Sequence, residues 1–259
     1  MSVVRTDKWL QESYDDPLKL CKKIKSYFDG VQTSEIYDYL TIHGMYRRPS
    51  TNNSDLVKSL QDNKVWQIVV KEKRQLQKLW NGPTIPVFIL PSDPDNHKLV
   101  KDHNGKSGLA FGDKMFLFLS ESNTEMEIRA LFTHEYNHVC RLANYQKKEN
   151  DYVLLDTIML EGLAENAVRE RLGKENTAGW TSYYSQDQLK KIWNSLVRPN
   201  RQASKNDRKH HEILYGLHFH PKMAGYCVGY YLVEKYLDKQ RITCKDLLPV
   251  SSDRIAQLN

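Results

Sequence analysis

The chain has 259 residues, of which 40% are hydrophobic and 27% charged, and it carries a formal net charge of +6. That balance is expected of a folded, water-soluble protein and argues against a disordered one, while so small a charge is no nucleic-acid signature by itself. No apolar run approaches the roughly 20 residues that cross a bilayer; the longest, "IPVFIL" at 85–90 and "MFLFL" at 115–119, are strand-sized.

The first residues, "MSVVRTDKWLQESYDD", lack an apolar core and turn acidic early, so no secretory signal is expected. Cys21, Cys140, Cys227 and Cys244 form no CxxC pair, and they are expected to be reduced, mostly packed thiols of a cytoplasmic protein. The N-terminal third reads as helical. Asp16 can cap a helix that starts at Pro17 and runs toward Gly30, with Leu20, Cys21, Ile24, Tyr27 and Phe28 at helical spacing. A second helix is expected over Ser34 to His43, stopping at Gly44. A third should run from about Lys64 to Trp80, with Trp66, Val69, Val70, Leu76 and Leu79 on its apolar face, until Asn81–Pro83 breaks it.

The middle of the chain is β-like. Residues 87–90 suit a buried strand, and "SGLAFGDKMFLFLS" reads as a hairpin with Gly112-Asp113 near its turn. From Ser122 onward helices dominate, interrupted by the polar, basic stretch Arg198 to His211. That stretch is expected to be a solvated loop, with a basic contact surface as the alternative. The expected fold is α+β: mainly helical, with a small mixed or antiparallel sheet packed on the helix that begins after Ser122. One domain is expected over 1–259, with a possible sub-division into 1–60, 61–150 and 151–259.

The segment "LFTHEYNHVCRL" carries the chemistry. Ser122–Glu125 and Thr124–Glu127 both have capping-box spacing before an apolar run, and Ile128, Leu131, Phe132 and Val139 would form a buried face. On such a helix His134 and His138 lie one turn apart on one side, so both imidazoles can reach one metal ion. Glu135, one residue from His134, points to the side of that ion, where a base can accept a proton from water. HExxH thus has a mechanical reason for each fixed residue.

A catalytic zinc needs a third ligand and an open position. "LLDTIMLEGLAENAVRERLGK" reads as a helix capped by Asp156 or Thr157 and ending at Gly173, buried along Leu160, Leu163, Ala164, Ala167 and Val168. Glu161 and Glu165 lie four apart on it beside apolar residues, an arrangement that is costly unless something positive faces them. Glu161 is therefore assigned as the third ligand. Glu165 is either a second carboxylate that fixes a histidine tautomer or an ordinary surface acid.

"HEYNH" followed by "EGLAE" resembles the gluzincin metallopeptidases, whose second motif supplies a glutamate ligand from a following helix. More closely, residues 105–240 resemble a bacterial family of predicted zinc-dependent proteases classed as a domain of unknown function. That family adds a "GYxxGYxxVxxYL"-like helix, here "GYCVGYYLVEKYL" from Gly225, and "WNGPTIPVFILP" from Trp80 also suits it. The resemblance implies a metallopeptidase fold, a Zn2+ cofactor and a peptide or protein substrate. It also implies an oxyanion donor from the C-terminal part: Tyr226 at the motif position, or else His220 or His218.

Together these readings give a zinc metallopeptidase in which His134, His138 and Glu161 bind metal and Glu135 is the base. Its substrate would lie as an extended peptide along the strand at 107–111 or 115–119. No nucleic acid or membrane partner is expected. The alternatives are a non-catalytic zinc- or peptide-binding protein of the same fold, and a basic nucleic-acid module using Arg198 to His211.

Overall fold

A computed structural model describes residues 3–49 and 53–258, the side chains of 53–55 excepted. It divides into two compact units, Met1–Val139 and Cys140–Asn259, with the boundary inside one long helix.

The first unit begins with α1 (Thr6–Ser13), α2 (Pro17–Ile24) and α3 (Thr33–Ile42). Asp16 caps α2 by accepting the Lys19 N–H at 3.0 Å, and Pro17 occupies the first turn. This helix is shorter than the periodicity predicts. After a 3₁₀ turn at Lys25–Tyr27 the chain becomes extended at Phe28, whose ring packs 5.9 Å from both Phe111 and Phe116. Burying that aromatic against the sheet outweighs another helical turn. Gly44, at φ +121°, ends the turn after α3. Then follow α4 (Asn53–Asp62) and α5 (Val65–Trp80), the latter closed by Asn81 in the left-handed region.

The sheet follows as β1 (Val87–Pro91), α6 (His97–His103), β2 (Ser107–Ala110) and β3 (Met115–Leu119), in spatial order β1-β3-β2. β1 and β3 are parallel from Val87↔Met115 to Pro91↔Leu119, and the hairpin pairs β2 antiparallel to β3 from Ser107↔Phe118 to Ala110↔Met115. Both β1 and β3 are buried along their whole length, with Phe88 and Phe116 stacked at 4.8 Å. The outer edge of β1 is covered: Val4 N–H bonds Val87 O at 2.9 Å, and Tyr46 N–H bonds Pro91 O at 3.1 Å. β2, by contrast, is half-exposed throughout and forms the other edge. The long helix α7 (Glu125–Asn144) completes the unit and enters the next.

The second unit holds α8 (Leu154–Leu172), α9 (Gln186–Ile192), α10 (Arg208–Tyr215), α11 (Ala224–Gln240), α12 (Cys244–Leu247) and α13 (Ser252–Ile255). α8 and α11 pack extensively against each other. α8 starts earlier than either expected cap. Val153 is its N-cap, and Asp156, already inside the first turn, accepts the Val153 N–H at 3.1 Å.

The basic stretch Arg198 to His211 is also not a free loop. It begins with a 3₁₀ turn at Arg198–Asn200, and from Arg208 it is helical. Between these, Ala203 O and Arg201 O accept the Leu154 and Leu155 N–H groups at 2.8 and 3.0 Å. The segment thus satisfies amides at the start of α8 that no intrahelical carbonyl can reach. Arg141, in the last turns of α7, is 2% exposed and donates from Nη1 to the carbonyls of Leu247, Leu248 and Val250 at 2.9, 2.7 and 2.6 Å.

The mainly helical α+β class with a small mixed sheet is as the sequence predicts. All four cysteines are buried and carry no disulfide, and burial pushes the Cys21 and Cys227 thiols up to about 12. No described helix is long and apolar enough to cross a membrane.

Candidate metal centre

Of the two possible capping boxes at the start of α7, Thr124–Glu127 forms: the Glu127 carboxylate accepts Thr124 N–H at 2.9 Å, and Thr124 Oγ1 accepts Glu127 N–H at 3.2 Å. The other oxygen of Glu127 accepts from Asn104 and from Lys106, each at 2.8 Å, tying the approach to β2 to the start of α7. Burial alone would raise this carboxyl. The Lys106 ammonium, the Thr124 N–H and the Asn104 amide outweigh burial and hold it at about 2.

Further along α7, Ile128, Phe132, Tyr136 and Val139 are fully buried, and the Tyr136 hydroxyl donates to Pro83 O at 2.9 Å. The rings of His134 and His138 lie 4.6 Å apart at 87°. Glu135 and His138 are each only 7% exposed, and His134 is half-buried. The Glu135 side chain lies against β2. A Cβ placed on Gly108 would come closer than 3.0 Å to its Cγ, Cδ and Oε1.

The orientation of β2 follows from its pairing. Phe111 N–H bonds Lys114 O at 2.9 Å, and along an antiparallel ladder bonded pairs alternate. Leu109 and Ser107 therefore face β3, whereas the N–H and C=O of Gly108 and Ala110 point to the open edge. Among the described residues, neither Gly108 nor Ala110 makes a backbone hydrogen bond to a segment outside the sheet. The Ser107 hydroxyl anchors the strand's beginning by donating to His43 O at 2.8 Å.

On α8, Glu161 is half-buried and Gly162 follows it at the crossing with α11. A Cβ on Gly162 would stand 2.8 Å from Tyr230 N and closer still to the Gly229 backbone; one on Gly229 would press on the Ile158 backbone. Asn166 stitches the crossing by donating to Gly162 O at 2.8 Å and Tyr230 O at 3.0 Å. The two helices pack backbone to backbone beside Glu161, which accounts physically for Gly162 and Gly229, while a Cβ on Gly225 would stand 2.8 Å from Leu214 Cα of α10.

One ligand atom from each of His134, His138 and Glu161 lies within 4.8 Å of the other two. Tetrahedral zinc at about 2.1 Å from each donor needs donors roughly 3.4 Å apart. Two imidazoles and a carboxylate are a donor set that suits zinc and leaves a position open. These three residues are the ones assigned as ligands from the sequence.

The other predicted residues are placed as follows. Glu165 is buried, and one of its oxygens accepts the Ala178 N–H at 2.5 Å. Tyr226, in the first turn of α11, has its ring 5.3 Å from Trp180 and 5.7 Å from Tyr215. His220 is half-buried in the turn between α10 and α11. His218 is more exposed, and its Nε2 lies 3.3 Å from a Glu212 oxygen.

Sequence reasoning missed Tyr215. Burial raises its hydroxyl pKa, a hydrogen bond with Tyr226 acts against that, and the nearby Glu161 carboxylate adds to the rise. Tyr215 thus neighbours the candidate oxyanion donor, its ring 5.7 Å from that of Tyr226, and feels the charge of a candidate ligand. A lone tyrosine before a Gly turn gives no sequence signal for this.

Residues 65–257 match the family described as "Predicted Zn-dependent protease (DUF2268)". The uncharacterized protein YjaZ of Bacillus subtilis (strain 168) is 38% identical over 258 residues, covering 98% of this chain and 97% of that one. The uncharacterized protein YjfC of the same organism is 23% identical over 187 residues, 69% of this chain and 62% of that one. No solved structure matches. With three quarters of its length matched and a relative aligned nearly end to end, this chain belongs to the family of predicted Zn-dependent proteases.

Proposed function

We propose that the protein is a zinc-dependent metallopeptidase that hydrolyses peptide bonds with Glu135 as general base. The observation that carries this reading is the convergence of His134, His138 and Glu161, with the buried Glu135 carboxylate held against the open edge strand. Zinc bound by those three residues would supply Lewis acidity, bringing a coordinated water toward a pKa of about 7 and polarising the scissile carbonyl.

The chain's own residues divide the remaining work. Glu135 takes a proton from the attacking water and returns it to the leaving amine. Tyr226, whose ring packs beside Trp180 and Tyr215, turns its hydroxyl to donate to the oxyanion, with His220 next in order. The substrate extends β2 as an added strand, pairing with the outward N–H and C=O groups of Gly108 and Ala110. Four buried cysteines that form no disulfide support a reducing, cytoplasmic setting.

Zinc content and hydrolysis of a peptide library, in wild type and Glu135→Gln, test this reading. Glu135→Gln should keep its zinc and lose at least about 100-fold in rate. A zinc-loaded Glu135→Gln that cleaves at the wild-type rate refutes the mechanism. A wild type that holds zinc and binds peptides without cutting them would point instead to a non-catalytic peptide-binding protein.

A further inference from the structure

We infer that Gly108 is a positioning residue for the base: by lacking a side chain, it leaves the space in which the Glu135 carboxylate is held. This rests on the reading of Glu135 as the base.

The backbone at Gly108 has no special conformation. It sits in the middle of β2, paired with Leu117, and its φ is not in the left-handed region. Any residue can adopt that geometry, so conformational freedom does not account for a glycine that weakens a strand. Space does. An added Cβ would overlap with three consecutive atoms of one side chain, Cγ, Cδ and Oε1 of Glu135. No other atom is as near, so the vacancy is shaped to a single group.

The strand and the base cannot easily separate to relieve such an overlap. β2 is bonded to the fully buried β3, and the Glu127 carboxylate clamps Lys106 and Asn104 to the start of α7. Ser107 is tied to His43 O. Glu135 itself sits on α7 between buried Phe132 and Val139. The overlap must therefore be relieved by rotation of the Glu135 side chain, carrying its carboxylate by about 1 Å to reach ordinary contact distance. Misplacement of that size at a reacting group costs on the order of 100-fold in rate. Gly108 also presents its own N–H and C=O to the open edge. One residue thus lines the open edge and leaves the space for the base beside it.

The test uses the full chain with Gly108→Ala, Glu135→Ala and the double variant. Crystal structures and zinc analysis require no activity. Gly108→Ala should keep full zinc content while its Glu135 carboxylate moves by about 1 Å or changes rotamer. A carboxylate that superimposes on wild type overturns the inference.

In the kinetic arm, kcat of Gly108→Ala should fall about 100-fold with KM changed only a few-fold. Alanine at position 135 lacks Cγ, Cδ and Oε1, the three atoms that an added Cβ would overlap, so the double variant should be no slower than Glu135→Ala alone. Wild-type kcat in Gly108→Ala, a change confined to KM, or losses that multiply in the double variant would each overturn the inference. Should Gly108→Ala fail to fold, restored folding in the double variant supports the inference, and failure of both overturns it. A wild type without hydrolytic activity defeats the proposed function and leaves the structural arm to decide on Gly108.

Discussion

Replacing Gly229 by alanine tests whether the crossing of α8 and α11 is what sets Glu161. The added methyl would overlap with the Ile158 carbonyl oxygen and lie 2.8 Å from the Ile158 carbonyl carbon. These are backbone atoms, so no side chain can turn away, and the helices must part by roughly 1 Å. Overpacking of this kind costs about 1–3 kcal/mol and sometimes more, against about 1 kcal/mol gained because alanine is the better helix former. Separation also strains the two Asn166 bonds, to Gly162 O and Tyr230 O, each of which contributes about 1 kcal/mol. The net expectation is a loss of roughly 1–3 kcal/mol, or a fall in Tm of roughly 3–10 °C for a chain this long. Zinc affinity should fall as well, because Glu161 directly precedes the glycine at the crossing. Differential scanning calorimetry and zinc titration with a competing chelator read both effects. A Gly229→Ala protein as stable as wild type, or one that gains the full helix-propensity term, would refute the backbone-to-backbone contact.

Glu127→Gln should lower stability by about 1 kcal/mol at neutral pH by weakening the cap of α7, and it should flatten the acid dependence of stability. The carboxyl is held at about 2 against an ordinary 4.5, so its contribution is fully present above about 4.5 and is lost as pH falls toward 2. Urea melts over that range should show a shallower decline in the variant, and parallel declines would count against this assignment. Arg141→Met removes the donor to the Leu247, Leu248 and Val250 carbonyls and should cost about 3 kcal/mol or more. Hydrogen exchange should then quicken around residues 244–255, and unchanged protection there would contradict the role given to Arg141.

The sequence was most informative where chemistry and local geometry coincide. His134, Glu135 and His138 stand out because a helix requires that spacing to aim two imidazoles at one point. Glu161 stands out because an acid on an apolar helix face demands a positive partner. The hairpin of β2 and β3 and the third helix were legible from alternation and from breakers such as Asn81–Pro83.

What could not be read depends on contacts distant in sequence. The start of α8 lies at Val153 because Leu154 and Leu155 donate to Ala203 and Arg201, so Asp156 caps from inside the first turn. Arg208 to His211 join a helix because Asp207 caps it, its side chain accepting Lys209 N–H at 2.9 Å, and because His210 is buried against Ala203 O. The roles of Gly108 and Gly162 are invisible in their own neighbourhoods, since each is defined by a backbone or side chain that the fold brings up to it.

Diffraction data collected on both sides of the zinc absorption edge, from protein purified without chelator, test the central claim most directly. One anomalous peak is expected at about 2.0–2.2 Å from a nitrogen of His134, a nitrogen of His138 and an oxygen of Glu161, with its remaining position open to solvent. No peak there, or a peak closed off by a fourth protein ligand, would contradict it.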